Sequence, residues 1–346
     1  FWSHEAMSSR ALVSNNRCGI SGSHFCGFKT KITNISDDKE TGTVPNNGRP
    51  AKIVVLGGSL TAGTFLTCID GPTSARSGFT CSWPRRLQDI LNKKPYLNPV
   101  IVENIAHGGT TTFWALNAFH RIPKDTDCII IDYDVNDGAL LNDYPNRTKN
   151  NNGQGQTIEE GLNNLRENIV GATEVLLRWL LELPNSPSVI WINSFAYDGE
   201  QKPSNEYKKR IPHLSDSSCY SVLGRGYSIS DARQDLLSFY GVSSISIRNA
   251  VWPRASCALP IDQESNGWIC TQTCHHPTVE THRLLADWVS QHLLSYTPCC
   301  IQEPETMPTS FFSPLAAVIE RNSCRVPLSI KSASDSNNIE IAPISC

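Results

Sequence analysis

Helices on both faces of a parallel sheet of about five strands, a three-layer α/β/α sandwich, is the architecture this sequence predicts. Three observations carry it. Short apolar runs rich in Val and Ile recur along the middle of the chain, stretches with helical spacing separate them, and glycine or asparagine marks the exits of the first three runs. Joining parallel strands in this way requires crossovers, and crossovers bring helices onto both faces of the sheet.

The first strand spans 52–56 and runs into Gly57-Gly58-Ser59-Leu60, where glycines allow a sharp turn. A loop bounded by Cys68 and Cys81 follows, then a helix over Trp83–Asn92 that ends before Pro95. The second strand, Val100–Ile105, runs into Ala106-His107-Gly108-Gly109, with a helix at about 112–120. The third strand, Cys128–Tyr133, ends in Asp134-Val135-Asn136-Asp137, and a polar loop is expected over Asn142–Gly155. Thr157 and Glu160 have the spacing of a capping box. The helix it opens carries an apolar stripe of Ile158, Leu162, Leu165, Ile169, Leu176, Leu180 and Leu183 before Pro184. Ser188–Phe195 and Ser243–Arg248 read as the last two strands, with helices at 229–240 and Thr278–Tyr296. Two irregular segments remain: 196–228, a surface insertion expected to shape a cleft, and 249–275 with Cys257, Cys270 and Cys274. The predicted organisation is an irregular N-terminal extension over 1–48, an α/β domain over 49–298, and a Pro/Ser-rich C-terminal extension over 299–346.

Composition narrows the function classes. A net charge of −3 gives no electrostatic footprint for nucleic acid, and no apolar run is long enough to span a bilayer. Thirteen cysteines favour an oxidising compartment, and the odd number leaves at least one thiol free, joined to another chain, or paired beyond this sequence. Cys68 with Cys81 is the favoured pair, though spacing does not fix connectivity. Cys270, Cys274, His275 and His276 lie close enough to raise a zinc site, but disulfides explain the cysteines better, and neither metal nor cofactor is expected. Asn34 and Asn146 head glycosylation sequons, and Phe1 in place of Met fits a leader already removed. The expected location is extracellular.

The strand ends carry the chemistry. Ser59, Gly109 and Asn136 each follow a parallel strand, and an α/β sheet gathers such positions into one crevice. Each has a structural alternative: Ser59 or Asn136 as a helix cap, and His276 before Pro277 as a helix entry. His282 reads as a packing residue; His107 and His275 read as loop residues. Together with the residues after 270, these motifs resemble the SGNH hydrolases, the GDSL esterases and lipases, over about 50–297. The matching blocks are Gly57-Gly58-Ser59-Leu60; Asn104 with Gly109; Asp134-Val135-Asn136-Asp137; and Thr273-Cys274-His275-His276-Pro277 with His282. The resemblance implies a flavodoxin-like SGNH fold. It implies Ser59 as nucleophile, His276 as base, and an oxyanion hole from the N–H groups of Ser59 and Gly109 and the Asn136 amide.

Three departures stand out. Thr273 occupies the position of the family's acid, and Asp262 on the same loop is the candidate substitute. Gly58 replaces the Asp of the first block. Asp134 replaces the glycine of the third and places a charge near the oxyanion. Two functions follow. One is a secreted serine esterase acting on an acyl or acetyl ester, with carbohydrate as the expected carrier. The other is a catalytically impaired relative with a glycan-binding or structural role, assembled through an unpaired cysteine. A lipid substrate is disfavoured because no amphipathic lid helix stands out.

Overall fold

The computed structural model describes residues 12–13, 20–33, 49–64, 81–148, 157–194, 229–247, 250 and 279–295. Six strands form one sheet: β1 (Leu12–Val13), β2 (Ala51–Gly57), β3 (Val100–Asn104), β4 (Cys128–Asp132), β5 (Ser188–Asn193) and β6 (Ser243–Ser246). Their order is β1-β6-β5-β4-β2-β3, with β2 to β6 parallel and β1 antiparallel to β6. The five parallel strands are those expected from the apolar runs.

Successive strand residues point to opposite faces, and both faces of the central strands β4 and β5 are buried. Ile53 and Val55 of β2, with Cys128 and Ile130 of β4, meet one layer of helices. That layer is α1 (Ile20–Thr33), α3 (Trp83–Asn92) and α8 (Val279–Ser295), which contribute Phe25, Trp83, Leu87, Trp288 and Val289. Val54, Leu56, Ile129 and Ile131 point the other way, onto α6 (Ile158–Leu181) and α7 (Ile229–Phe239) through Leu176, Leu180, Leu236 and Leu237. Burial on both faces explains why these strands read as continuous apolar runs rather than alternating ones. The capping box forms as its spacing predicts: Glu160 N–H donates to Thr157 Oγ1 at 3.2 Å, and Thr157 N–H to Glu160 Oε2 at 2.9 Å.

Two expectations are corrected. Residues 1–48 are not wholly an irregular extension, because α1 lies in the core and β1 completes the sheet edge. The signal lay in Phe25, Phe28 and Ile32, spaced three and four residues apart and all buried. Gly27 and the Lys and Thr residues between them diluted it. Ser21 Oγ donates to Val189 O at 3.2 Å, and Lys31 Nζ to Asp127 Oδ1 at 2.8 Å, so polar contacts also tie α1 to the sheet. The polar loop expected over 142–155 is helical as far as Thr148, because α5 spans Asp134–Thr148. Residues 299–346 lie outside the described residues.

Cys26 and Cys81 are each disulfide-bonded, while Cys128 is a free thiol. Cys68 lies outside the described residues. Burial pushes the Cys128 thiol up to about 12, which makes it neither a nucleophile nor a bridge to a second chain.

Candidate active site

The strand order reverses between β2 and β4, since β3 lies outside β2 on one side and β4 to β6 build outward on the other. Crevices form at the carboxyl ends of strands at such a switch point. The segments leaving β2, β3 and β4 all enter this one.

The turn after β2 is built from its glycines. A Cβ on Gly57 would sit 2.6 Å from Thr61 Oγ1 and 2.9 Å from Asp132 O, so no side chain fits. Gly58 is the N-cap of the one-turn helix α2 (Ser59–Ala62), and Gly63 closes it in the left-handed region at φ 75°. Ser59 is therefore not the cap; it is the first helical residue, half-buried at the strand exit.

The segment after β3 lies against this turn. His107 N–H and Thr110 Oγ1 both donate to Gly57 O, at 3.0 and 3.1 Å. A Cβ on Gly108 would stand 3.7 Å from Ser59 Cβ. Gly109 has φ 72°, a backbone conformation that other residues adopt only under strain, and among the described residues a Cβ there would meet nothing within 4 Å. Its glycine is thus explained by backbone conformation. Asn104 braces the serine-bearing helix α2, its Nδ2 donating to Thr61 O at 3.2 Å.

The segment after β4 closes the triangle. Asn136 Nδ2 donates to Thr110 O at 2.6 Å, which leaves its second amide hydrogen available. The same nitrogen lies 2.3 Å from where a Gly58 Cβ would be. This accounts for Gly58 in place of the first-block Asp: any side chain there would strike the Asn136 amide. Asn136 is a half-buried residue in the first turn of α5, directed into the site rather than bonded as a cap.

Asp134 does not stand beside Asn136 as a bare charge. Its carboxylate accepts from Trp191 Nε1 at 2.9 Å, from Ser230 Oγ, and from the buried guanidinium of Arg233. Burial raises its pKa and Arg233 opposes that rise. Asp137 accepts from Thr112 N–H at 3.0 Å, from Thr112 Oγ1 at 2.6 Å, and from Arg233. It thereby satisfies the first N–H of α4 (Thr112–Asn117), the helix that follows Gly109. Beneath the serine turn, Asp132 accepts from Thr61 Oγ1 at 2.7 Å and from Ser194 Oγ, and burial lifts its pKa to about 6.

Ser59, Gly109 and Asn136 are thus brought together. His276, Thr273, Asp262 and Asn34 lie outside the described residues, as do Cys270, Cys274 and His275; Asn146 falls within α5. His282 is buried on α8 and accepts from Trp83 N–H through Nδ1 at 3.0 Å, a packing and capping role at the start of α3. The sequence reading passed over Thr61, Thr112, Asp132 and Arg233. Arg233 left a signal, because it shares a helical face with Ile229, Leu236 and Leu237. A cation on an apolar face needs buried acceptors.

This sheet order, with a serine turn after β2 and an asparagine after β4, is the α/β/α arrangement that the resemblance to the SGNH hydrolases implies. No protein-family model matches the chain, and no match is found among curated proteins. Among solved structures it resembles a two-domain esterase active on acetylated mannans, at 15% identity and TM-score 0.53, over 88% of this chain and 61% of that one. A second structure of a two-domain esterase active on acetylated mannans, co-crystallised with mannopentaose, matches at 14% identity and TM-score 0.51, over 88% of this chain and 60% of that one. The chain therefore spans about three fifths of the esterase it resembles, and at this identity the likeness is one of fold.

Proposed function

We propose that this protein is a secreted serine ester hydrolase that removes acyl or acetyl groups from carbohydrate. The observation that carries the reading is the convergence of Ser59, Gly109 and Asn136, with the Gly109 loop hydrogen-bonded to Gly57 on one side and to Asn136 on the other. In the proposed reaction Ser59 Oγ attacks the ester carbonyl carbon while His276 takes its proton. The carbonyl oxygen gains charge and is met by the N–H groups of Ser59 and Gly109 and by the free hydrogen of Asn136 Nδ2. The alcohol leaves with the proton from His276, and water then cleaves the acyl-Ser59 by the same steps in reverse. Thr273 or Asp262 is assigned the task of orienting His276. Acetylated carbohydrate is favoured by the likeness to the mannan esterase, and an oxidising location by the disulfides at Cys26 and Cys81.

A second reading, an impaired relative that binds glycans or serves structurally, is favoured by Thr273 in the place of the family's acid. An assembly through an unpaired thiol would have to use a cysteine other than buried Cys128. One experiment separates the two. The wild type is expected to hydrolyse p-nitrophenyl acetate slowly and to take a fluorophosphonate label that Ser59→Ala loses, and Thr273→Asp is expected to raise turnover. Absence of Ser59-dependent labelling and turnover, with no gain from Thr273→Asp, would install the second reading.

A further inference from the structure

We propose that Arg233 is a positioning residue that locks the Asn136 and Gly109 oxyanion donors into one rigid unit; the proposal rests on the esterase reading. Its guanidinium is fully buried and engages four acceptors from three helices. Nη1 donates to Asp134, and Nη2 to Asp137 and to Thr112 Oγ1 at 3.0 Å. Nε donates to Thr173 Oγ1 at 2.9 Å, and the plane lies over the Trp191 ring at 4.7 Å. Asp134 and Asp137 flank Asn136 in the first turn of α5, and Thr112 opens the helix three residues after Gly109. One planar fork therefore fixes the turn bearing the side-chain donor and the helix that anchors the backbone donor. A lysine, with a single ammonium group, cannot reach this set in the same geometry.

The charge arrangement gives the same assignment. Asp134 stands where the resembling family has glycine, and it adds a buried carboxylate beside a site that must stabilise an anion. Arg233 supplies the compensating charge, so Asp134 and Arg233 act as a pair. Removing Arg233 alone leaves two carboxylates close together, which favours rearrangement of the first turn of α5 and opposes oxyanion formation. Removing both charges relieves that conflict.

The test compares Arg233→Gln, Arg233→Lys and Arg233→Gln/Asp134→Asn with wild type, reading kcat, KM and amide hydrogen exchange on the full chain. Arg233→Gln is expected to lower kcat about 10²-fold with KM unchanged, the mark of an interaction made in the transition state. Amides of 106–112 and 134–138 are expected to exchange faster. Arg233→Lys should recover only part of the loss, and the double variant at least tenfold of it. Where Arg233→Gln does not fold, the double variant and Arg233→Lys carry the comparison. A rise in KM at constant kcat, or unchanged turnover and unchanged exchange, overturns the proposal, as does a failure of all three variants to fold. A wild type without Ser59-dependent turnover overturns the esterase reading instead. In that case hydrogen exchange alone decides whether Arg233 holds the two segments together.

Discussion

Gly58 is the residue on which the departure from the first motif turns. Its φ of −87° is open to any residue, so backbone conformation does not demand glycine. What demands it is Asn136 Nδ2, 2.3 Å from the position of a Cβ. Gly58→Ala is therefore expected to displace the Asn136 amide and lower kcat about 10²-fold, the loss typical of one missing oxyanion donor. Its melting temperature should stay close to wild type, because the displaced atom ends a short, half-buried side chain. Steady-state kinetics beside a thermal melt would check this; unaltered kcat would overturn the oxyanion role proposed for Asn136. The Gly58 and Asp134 departures each have a partner on another segment, and neither partner is visible from the local motif.

Among the elements, α1 changes the account of the molecule most. Phe25 is 2% exposed and packs edge-to-face with Phe28 and with His292 of α8. Truncating a buried Phe removes its transfer free energy and leaves a cavity, together about 3–5 kcal/mol. Phe25→Ala is expected to destabilise the whole domain by that amount in urea titration, with one transition at a lower midpoint. If the chain instead lost only a local event with the midpoint unchanged, α1 would be an appendage after all. The capping box of α6 and the span of α3 were legible because each is decided by residues within one turn. The continuation of α5 past Asn142 was not, since a polar composition there does not separate helix from loop.

At the scale of the whole molecule, pH acts with opposite signs through buried Asp132 and His292. Asp132 has a folded pKa of about 6, above its usual 3.8. The folded state holds its proton longer, so this contribution is fully present below pH 3.8 and is lost as pH rises through about 6. His292 is pushed down to about 4 by burial; its contribution is present above 6.5 and is lost as pH falls toward 4. Asp132→Asn removes the first of these. Its stability relative to wild type is expected to rise by about 2–3 kcal/mol between pH 4 and pH 8, following from a shift of roughly two pKa units. Urea titrations of both proteins at several pH values would show it, and a difference independent of pH would place the Asp132 titration outside this range.

The sequence by itself determined the parallel sheet, the places of its five strands, and which strand exits bear Ser59, Gly109 and Asn136. Those features follow from hydrophobic periodicity and glycine punctuation, which are local. Tertiary structure alone decided that α1 belongs to the core, that Asn136 occupies the space above Gly58, and that Asp134 is balanced by Arg233 almost a hundred residues away. Each of these is a contact between segments distant in sequence. A residue's charge or size is written in the chain, but the neighbour that makes it tolerable is supplied only by the fold.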